Sequence, residues 1–372
     1  MKGIIMKKKK IALLTGGGDA PGLNAVISTI TKICIRKFDY DVIGYKFGYR
    51  GLYKNEYMNL TMENTTGIFH RGGSILYSSN KDNLFDYLVE DENGNMVRKD
   101  VSNVAVENLK KEGVDVLVVL GGDGTLTSAR DFSRLGVNVI GVPKTIDNDL
   151  MMTDRTFGFD TAINIVTEAL GRLHTTAESH HRVIVVEVMG RNAGWIALHS
   201  GIAGSADVIL IPEIPYSLDA IVRKIKRRDA RGRMFTIIVV SEGAREVNGE
   251  VTVGKIVADS PDPIRLGGVG NKLAYQLEEM IGQQHEIRPV VLGHTQRGGD
   301  TSPYDRILSA RFGAKVVEMI NNEEYGAMVN ISEGTIGTVS LEEVIGQQKL
   351  VDPQGEFVQM AKNIGIFFGD EK

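Results

Sequence analysis

Three short segments carry the residue types that phosphate chemistry requires. Thr15-Gly16-Gly17-Gly18-Asp19-Ala20-Pro21-Gly22-Leu23-Asn24 sets consecutive glycines ahead of a helical stretch that begins near Asn24. Glycines let the backbone approach a phosphate closely, and amides at a helix start favour an anion; the same glycines would also serve a tight turn. Gly121-Gly122-Asp123-Gly124-Thr125 places a carboxylate amid flexible backbone. The backbone amides there suit phosphate, and an Asp123 oxygen suits Mg2+. Pro143-Lys144-Thr145-Ile146-Asp147-Asn148-Asp149 has carboxylates at i and i+2. Such a pair can divide work between a metal and a base for a hydroxyl, or can form turn and capping hydrogen bonds.

Arginines recur further along. Arg182 comes ahead of the apolar run leading to Met189-Gly190-Arg191, and Arg288 ahead of the run leading to Gly293-His294-Thr295-Gln296-Arg297-Gly298-Gly299. A guanidinium fork matches phosphate oxygens in a bidentate way that an ammonium cannot. Taken singly, each could be an ordinary surface arginine. Glu242, in Ser241-Glu242-Gly243, could accept hydrogen bonds from sugar hydroxyls, while His294 could equally be a buried, satisfied histidine. The first glycine run is not the dinucleotide pattern, and the chain has no Walker GxxxxGK[ST] segment. It also lacks a G-x-S-x-G elbow and any His/Cys cluster with zinc spacing.

The elements that must position these residues follow from periodicity. The runs Ile11–Leu14, Val114–Leu120, Val137–Val142, Val183–Val188, Val208–Ile211 and Phe235–Val240 are β-branched or apolar and end abruptly in glycine-rich or acidic loops. They predict buried parallel strands. Helical patterns lie between them, the clearest at Phe159, Ala162, Ile163, Val166, Ala169, Leu170 and Leu173. The expectation is an α/β fold with helices on both sheet faces, and ligands in such folds bind beyond the carboxyl ends of strands. Those ends are where the motifs lie.

Length and composition set the outer bounds. A chain of 372 residues predicts two lobes, and 42% apolar with 24% charged residues is the balance of a chain able to bury a core. A net charge of −4 provides no general attraction to nucleic acid or acidic membranes. The single cysteine, Cys34, excludes an intrachain disulfide and fits a reducing cytosol. The basic start, Lys7 to Lys10, runs through Leu14 straight into glycines, so no signal peptide is expected, and no apolar run reaches membrane-spanning length. Met6 is an alternative start. The stretch Arg245–Gly270, with Pro261 and Pro263 among its glycines, predicts an insertion or mobile loop, and Arg223–Arg233 a solvated basic helix and turn.

With GGDAPG, GGDGT, PKTIDND, MGR, SEG and GHTQRGG in this order, the chain closely resembles the 6-phosphofructokinases from about Lys9 to its end. GGDGT alone would be shared with NAD kinases and lipid kinases; TIDND and GHTQRGG decide against those. The resemblance implies a two-lobed α/β subunit, each lobe a mainly parallel sheet with helices on both faces. Residues 7–158, rejoined near 296–345, would form the nucleotide-binding lobe and residues 159–295 the sugar-phosphate lobe. ATP, with Mg2+, and fructose 6-phosphate would meet in the cleft. It also implies a cytoplasmic homotetramer or homodimer with shared active sites.

By the same resemblance Asp147 stands where the family places its general base, with Thr145 and Asp149 beside it, and Asp123 at the Mg-binding position. Gly18, with Gly122, Asp123, Gly124 and Thr125, matches the nucleotide phosphate loops, and Lys144 joins them. Arg191 matches a residue near the transferred phosphoryl group, and Met189, Gly190 and Glu242 match sugar contacts. His294 and Arg297 match 6-phosphate contacts, while Arg182 and Arg288 match arginines that reach over from a neighbouring subunit.

The chain departs from the family pattern in places. Asn80 and Lys81 stand where many bacterial relatives have an arginine that touches both phosphates. Ser28 and His174 replace arginines that bind an effector nucleotide, which predicts loss of that control. The segment between Glu242 and Arg288 is long. Pyrophosphate users in the family carry aspartate where this chain has Gly124 and lysine where it has Lys144. A carboxylate at 124 would repel the α-phosphate and fill its space, whereas a lysine excludes neither donor. ATP is therefore the expected donor and pyrophosphate the alternative. A catalytically silent sugar-phosphate-binding regulatory subunit is the non-enzyme alternative, and Asp123, Asp147, Asp149 and Arg191 together argue against it.

Overall fold

The computed structural model describes residues 8–256 and 264–370. Met6, Lys7, Pro261 and Pro263 lie outside the described residues. The chain divides into two units: one takes residues up to Thr145 with Leu150–Gly158 and Arg297–Gln347, the other Ile146–Asp149, Phe159–Gln296 and the residues from Gln348 onward.

In the first unit the expected runs Ile11–Leu14, Val114–Leu120 and Val137–Val142 become the strands Lys10–Thr15, Val116–Gly121 and Val139–Pro143. They lie side by side and parallel at the centre of a seven-stranded sheet. Asp41–Tyr45 and Ala327–Ser332 extend the parallel core on either side. Tyr57–Leu60 and Thr335–Ser340 close the edges antiparallel. Alternation sends Ile11 and Leu13 to one face, with the helices Leu23–Phe38 and Pro303–Asn322, and Ala12 and Leu14 to the other, with Leu126, Ala129 and Phe132 of the helix Asp123–Arg134. Both faces are covered, which is why these strands are almost uninterrupted apolar runs. Each fully buried Leu, Ile or Phe here contributes about 1.5–3 kcal/mol. Pro303–Asn322 starts where Ser302 Oγ accepts the Asp305 amide at 3.2 Å, with proline in its first turn.

The second unit has a four-stranded sheet, all parallel, in the order Ile287–Val291, Val183–Val188, Thr236–Ser241, Val208–Leu210. The predicted helix runs Phe159–His180 and buries Phe159, Ala162, Val166 and Leu170; Ile163, Ala169 and Leu173 are half-buried. The basic run forms a helix and turn: Leu218–Asp229 is capped by Ser217, buries Ile221, Val222 and Ile225, and carries Lys226, Arg227 and Arg228 in its last turn, where cations suit the helix dipole. The stretch Arg245–Gly270 holds more order than a loop, because Val253–Ile256 pairs antiparallel with Ile264–Leu266. Behind it Glu187 is 4% exposed and accepts the amides of Gly268 and Gly270, which fastens the start of the helix Val269–Ile281. Among the described residues no helix is long and apolar enough to cross a membrane.

Candidate active site

Three adjacent parallel strands of the first unit deliver three loops at their carboxyl ends. Lys10–Thr15 leads into Gly16–Gly22, Val116–Gly121 into Gly122 and Asp123, and Val139–Pro143 into Lys144 and Thr145. The glycines at this point are sterically required. A Cβ on Gly121 would lie 2.3 Å from Thr125 Cβ and one on Gly16 2.6 Å from Thr125 Cγ2, so Thr125 packs where side chains would stand. Gly17 has φ +77°. A Cβ on Gly124, in contrast, would meet nothing within 4 Å. Gly124 sits in the first turn of Asp123–Arg134, whose amide end favours anions.

Asp123 heads that helix. Its Oδ1 is enclosed and accepts no hydrogen bond, and burial pushes the carboxyl above its usual range, partly offset by Arg130. Lys144 is 4% exposed, and its Nζ donates to Gly18 O, which fastens the third loop to the first. Arg297 joins this group: its Nη1 donates to Asp19 O at 3.0 Å, and Gly18 leaves the space its guanidinium occupies. Asn80 and Lys81 are exposed and follow Ser79, whose carbonyl accepts the Gly17 amide at 2.9 Å.

From Lys144 to Leu150 burial alternates strictly. Lys144, Ile146, Asn148 and Leu150 are buried, while Thr145, Asp147 and Asp149 are half-exposed. The segment is not a strand, since it bends at Ile146 and Asp147 and Asn148 has φ +52°, but it covers its apolar residues and leaves the hydroxyl and both carboxylates partly open to solvent. Thr156 Oγ1 donates to Thr145 O and Lys349 N to Asp149 O, which fix the two ends.

The second unit builds its own loop cluster. Met189-Gly190-Arg191 follows Val183–Val188, and Glu242-Gly243 follows the neighbouring Thr236–Ser241. Ser241 Oγ and the Gly243 amide both donate to Gly190 O, at 2.6 and 3.1 Å. A Cβ on Gly243 would fall 1.9 Å from Arg191 O, and Gly190 has φ +128°, so neither position accepts a side chain. Gln296 is fully buried; it accepts the Met189 amide at 3.2 Å and donates to Gly293 O at 2.9 Å. It therefore ties the loop bearing exposed His294 to the loop bearing Arg191. The motif taken alone assigns Gln296 no role; its position between His294 and Arg297 is the signal that could have found it.

Arg182 and Arg288 lie elsewhere. Arg182 immediately precedes Val183, and Arg288 is inside the strand Ile287–Val291 rather than ahead of it, paired with Ile184. Both guanidinium groups bind Glu286, and Arg182 draws that carboxyl below its usual range. They sit at the amino end of the sheet whose carboxyl end carries Met189 and Arg191. A strand of that length separates them by about 20 Å, further than an arginine reaches. The structure does not bring them to the Arg191 cluster within one chain. Ser28 is buried with its hydroxyl on Thr65 O, and a His174 ring nitrogen lies 2.8 Å from Gly204 O, so both are engaged internally.

Comparison with known proteins follows the same lines. The phosphofructokinase family model matches residues 10–320. The chain is 68% identical over 97% of its length, and 99% of the relative's, to "ATP-dependent 6-phosphofructokinase 2" of Clostridium perfringens. It is 44% identical over 97% of its length, and 100% of the relative's, to a Streptomyces coelicolor "Pyrophosphate--fructose 6-phosphate 1-phosphotransferase". Among solved structures, Pichia pastoris phosphofructokinase in the T-state superimposes with a TM-score of 0.76 at 30% identity, covering 91% of this chain but only 35% of that longer one. A family match over most of the chain and full-length relatives at this identity carry one conclusion: the chain belongs to the phosphofructokinase family.

Proposed function

We infer that the chain transfers the γ-phosphoryl group of ATP to the 1-hydroxyl of fructose 6-phosphate, giving fructose 1,6-bisphosphate. The observation that carries this is the likeness along its whole length, at 68% identity, to an ATP-dependent enzyme, against 44% for the pyrophosphate-dependent one. The open space at Gly124 supports the same donor, since an α-phosphate needs the room that a carboxylate there would fill.

In this reading most donor contacts come from residues of the first unit and most sugar-phosphate contacts from residues of the second, Arg297 being the exception. Gly18, Gly122, Gly124 and Thr125 offer backbone to the donor phosphates, with Asn80 and Lys81 at the edge. Lys144 neutralises charge. The enclosed, unbonded Oδ1 of Asp123 fits one protein ligand of a Mg2+ ion held otherwise by phosphates and water, and among the described residues no group of three His, Cys, Asp or Glu could hold a metal by itself. When bound, the ion would neutralise charge on the donor phosphates. Asp147 takes the proton of the 1-hydroxyl, Thr145 and Asp149 orient that segment, and Arg191 stabilises charge on the phosphoryl group in flight. Met189, Gly190 and Glu242 hold the sugar, and His294 and Arg297 hold its 6-phosphate.

Arg182 and Arg288 complete the 6-phosphate site of a second copy of the chain, so the working form is a homo-oligomer. Their place at the far end of the sheet from Arg191 supports this, because within one chain they have no route to the sugar. A coupled assay of fructose 1,6-bisphosphate formation with Mg-ATP and with Mg-pyrophosphate tests the reading. Turnover with ATP exceeding that with pyrophosphate is expected; the reverse overturns the donor, and sugar-phosphate binding without turnover on either overturns the enzyme.

A further inference from the structure

We propose that Tyr77, stacked on Phe47, is the platform on which the purine ring of the donor nucleotide lies. The proposal rests on the ATP reading above and deepens it by naming what recognises the base.

The two rings are 4.7 Å apart at 13°, a stacked pair, and the Arg50 guanidinium lies 4.2 Å from the Phe47 centroid. Arg50 Nε is buried without a hydrogen-bond partner, so the ring face is what it meets. Tyr77 is 54% exposed, which is unusual for a large aromatic side chain already committed to a stack.

Backbone conformation adds a second, independent observation. Phe47 and Tyr77 have φ of +59° and +58°, left-handed values that disfavour a bulky side chain. Gly73, in the same loop as Tyr77, has φ +68°, so one left-handed position of this loop is met by glycine and the other by an aromatic residue. Two aromatic rings kept in disfavoured conformations and stacked on each other indicate that the rings, and not the turns, are what these positions retain.

Placement identifies the ligand. Tyr77 O accepts Thr15 Oγ1 and Ser78 Oγ donates to Gly17 O, both at 2.5 Å. On the other side a Cβ on Gly48 would stand 2.9 Å from Thr15 O, and Tyr49 donates its hydroxyl to Thr125 O at 2.8 Å. The stack is therefore fastened through its immediate neighbours to both glycine loops assigned to the donor phosphates. A flat, exposed aromatic face beside a phosphate site suits a base joined to those phosphates through a ribose, and it offers nothing to inorganic pyrophosphate. Stacking alone reads ring size more than functional groups, so it favours a purine nucleoside triphosphate without strong choice between adenine and guanine.

Calorimetric titration of the wild type, Tyr77→Ala and Tyr77→Phe with a non-hydrolysable ATP analogue and with inorganic tripolyphosphate tests this. Tyr77→Ala should weaken the analogue by about tenfold and leave tripolyphosphate unchanged, while Tyr77→Phe keeps both affinities. Unchanged analogue binding in Tyr77→Ala overturns the platform, as does parallel weakening of both ligands, which would mean that the ring only supports the glycine loop. A wild type that binds tripolyphosphate as tightly as the analogue, and turns over faster with pyrophosphate than with ATP, overturns the ATP reading and the platform with it. An ATP-using wild type with an unaffected Tyr77→Ala variant overturns the platform alone.

Discussion

In the first unit Gly16 and Gly121 close onto Thr125, and in the second Gly190 and Gly243 close onto Ser241 and the Arg191 carbonyl. The two loop clusters share a way of being shaped, backbone packed so tightly that a Cβ is excluded, but present different groups. The first offers amides at a helix start, one enclosed carboxylate and one buried lysine. The second offers long cationic and polar side chains, Arg191, Glu242 and His294, standing on a backbone clasp. The difference suits two kinds of phosphate. Amides hold a polyphosphate by close approach, whereas arginines and histidine reach for a single phosphate at the end of a sugar.

The substitution of largest effect removes the proposed base, which the chain carries between the two clusters in sequence. Asp147→Ser should lower turnover by roughly 10²-fold or more while fructose 6-phosphate still binds, as measured by steady-state kinetics and sugar-phosphate titration. Near-normal turnover would refute Asp147 as base.

Next, Gly124 and Gly121 separate space for ligand from space for fold. A Cβ on Gly124 meets nothing within 4 Å, so Gly124→Asp should leave thermal unfolding little changed while kcat/KM for ATP falls by about 10²-fold. Gly121→Ala forces a Cβ against Thr125 and should cost about 1–3 kcal/mol of stability in denaturant titration. Equal stability losses in the two variants would break the distinction.

A smaller effect tests the side-chain half. Arg182→Ala should raise KM for fructose 6-phosphate about tenfold, the value of one or two charge-assisted hydrogen bonds, with a lesser change for ATP. At fructose 6-phosphate well below the raised KM, where both variants are poorly active, mixing Asp147→Ser with Arg182→Ala subunits should give more activity than the sum of the two preparations, because some sites then inherit both intact residues. No recovery despite demonstrated subunit exchange would show that the site is not shared.

The smallest effect concerns pH. Burial raises the Asp123 carboxyl above its ordinary 3.8, so its protonated form persists to higher pH than in an exposed aspartate. Mg2+ competes with that proton. The Mg2+ concentration for half-maximal activity should therefore rise as pH falls towards the raised value, and folding stability, favoured by the neutral form, should decrease as pH rises through it. A Mg2+ requirement independent of pH in the acid range would remove Asp123 from the metal site.

The residue pattern specified the strands whose two faces are both buried, because β-branched runs such as Val183–Val188, interrupted only at Glu187, suit a strand covered on both sides. It also marked the loops that follow them as candidate sites, since the glycines beside Asp123 and the carboxylates Asp147 and Asp149 stand directly after such runs. Edge strands such as Tyr57–Leu60 and Thr335–Ser340 were not legible: half-exposed and mixed in polarity, they show no run, and only their partners make them strands. Three relations needed the tertiary structure. Gln296 joins the His294 and Arg191 loops across 107 residues of chain, Glu187 holds a helix start 81 residues away, and the Phe47–Tyr77 stack meets across two loops. Each depends on which strand lies next to which. Local propensity records what a segment can become, but a hydrogen bond or a stack between distant segments exists only once the sheet order has set their distance.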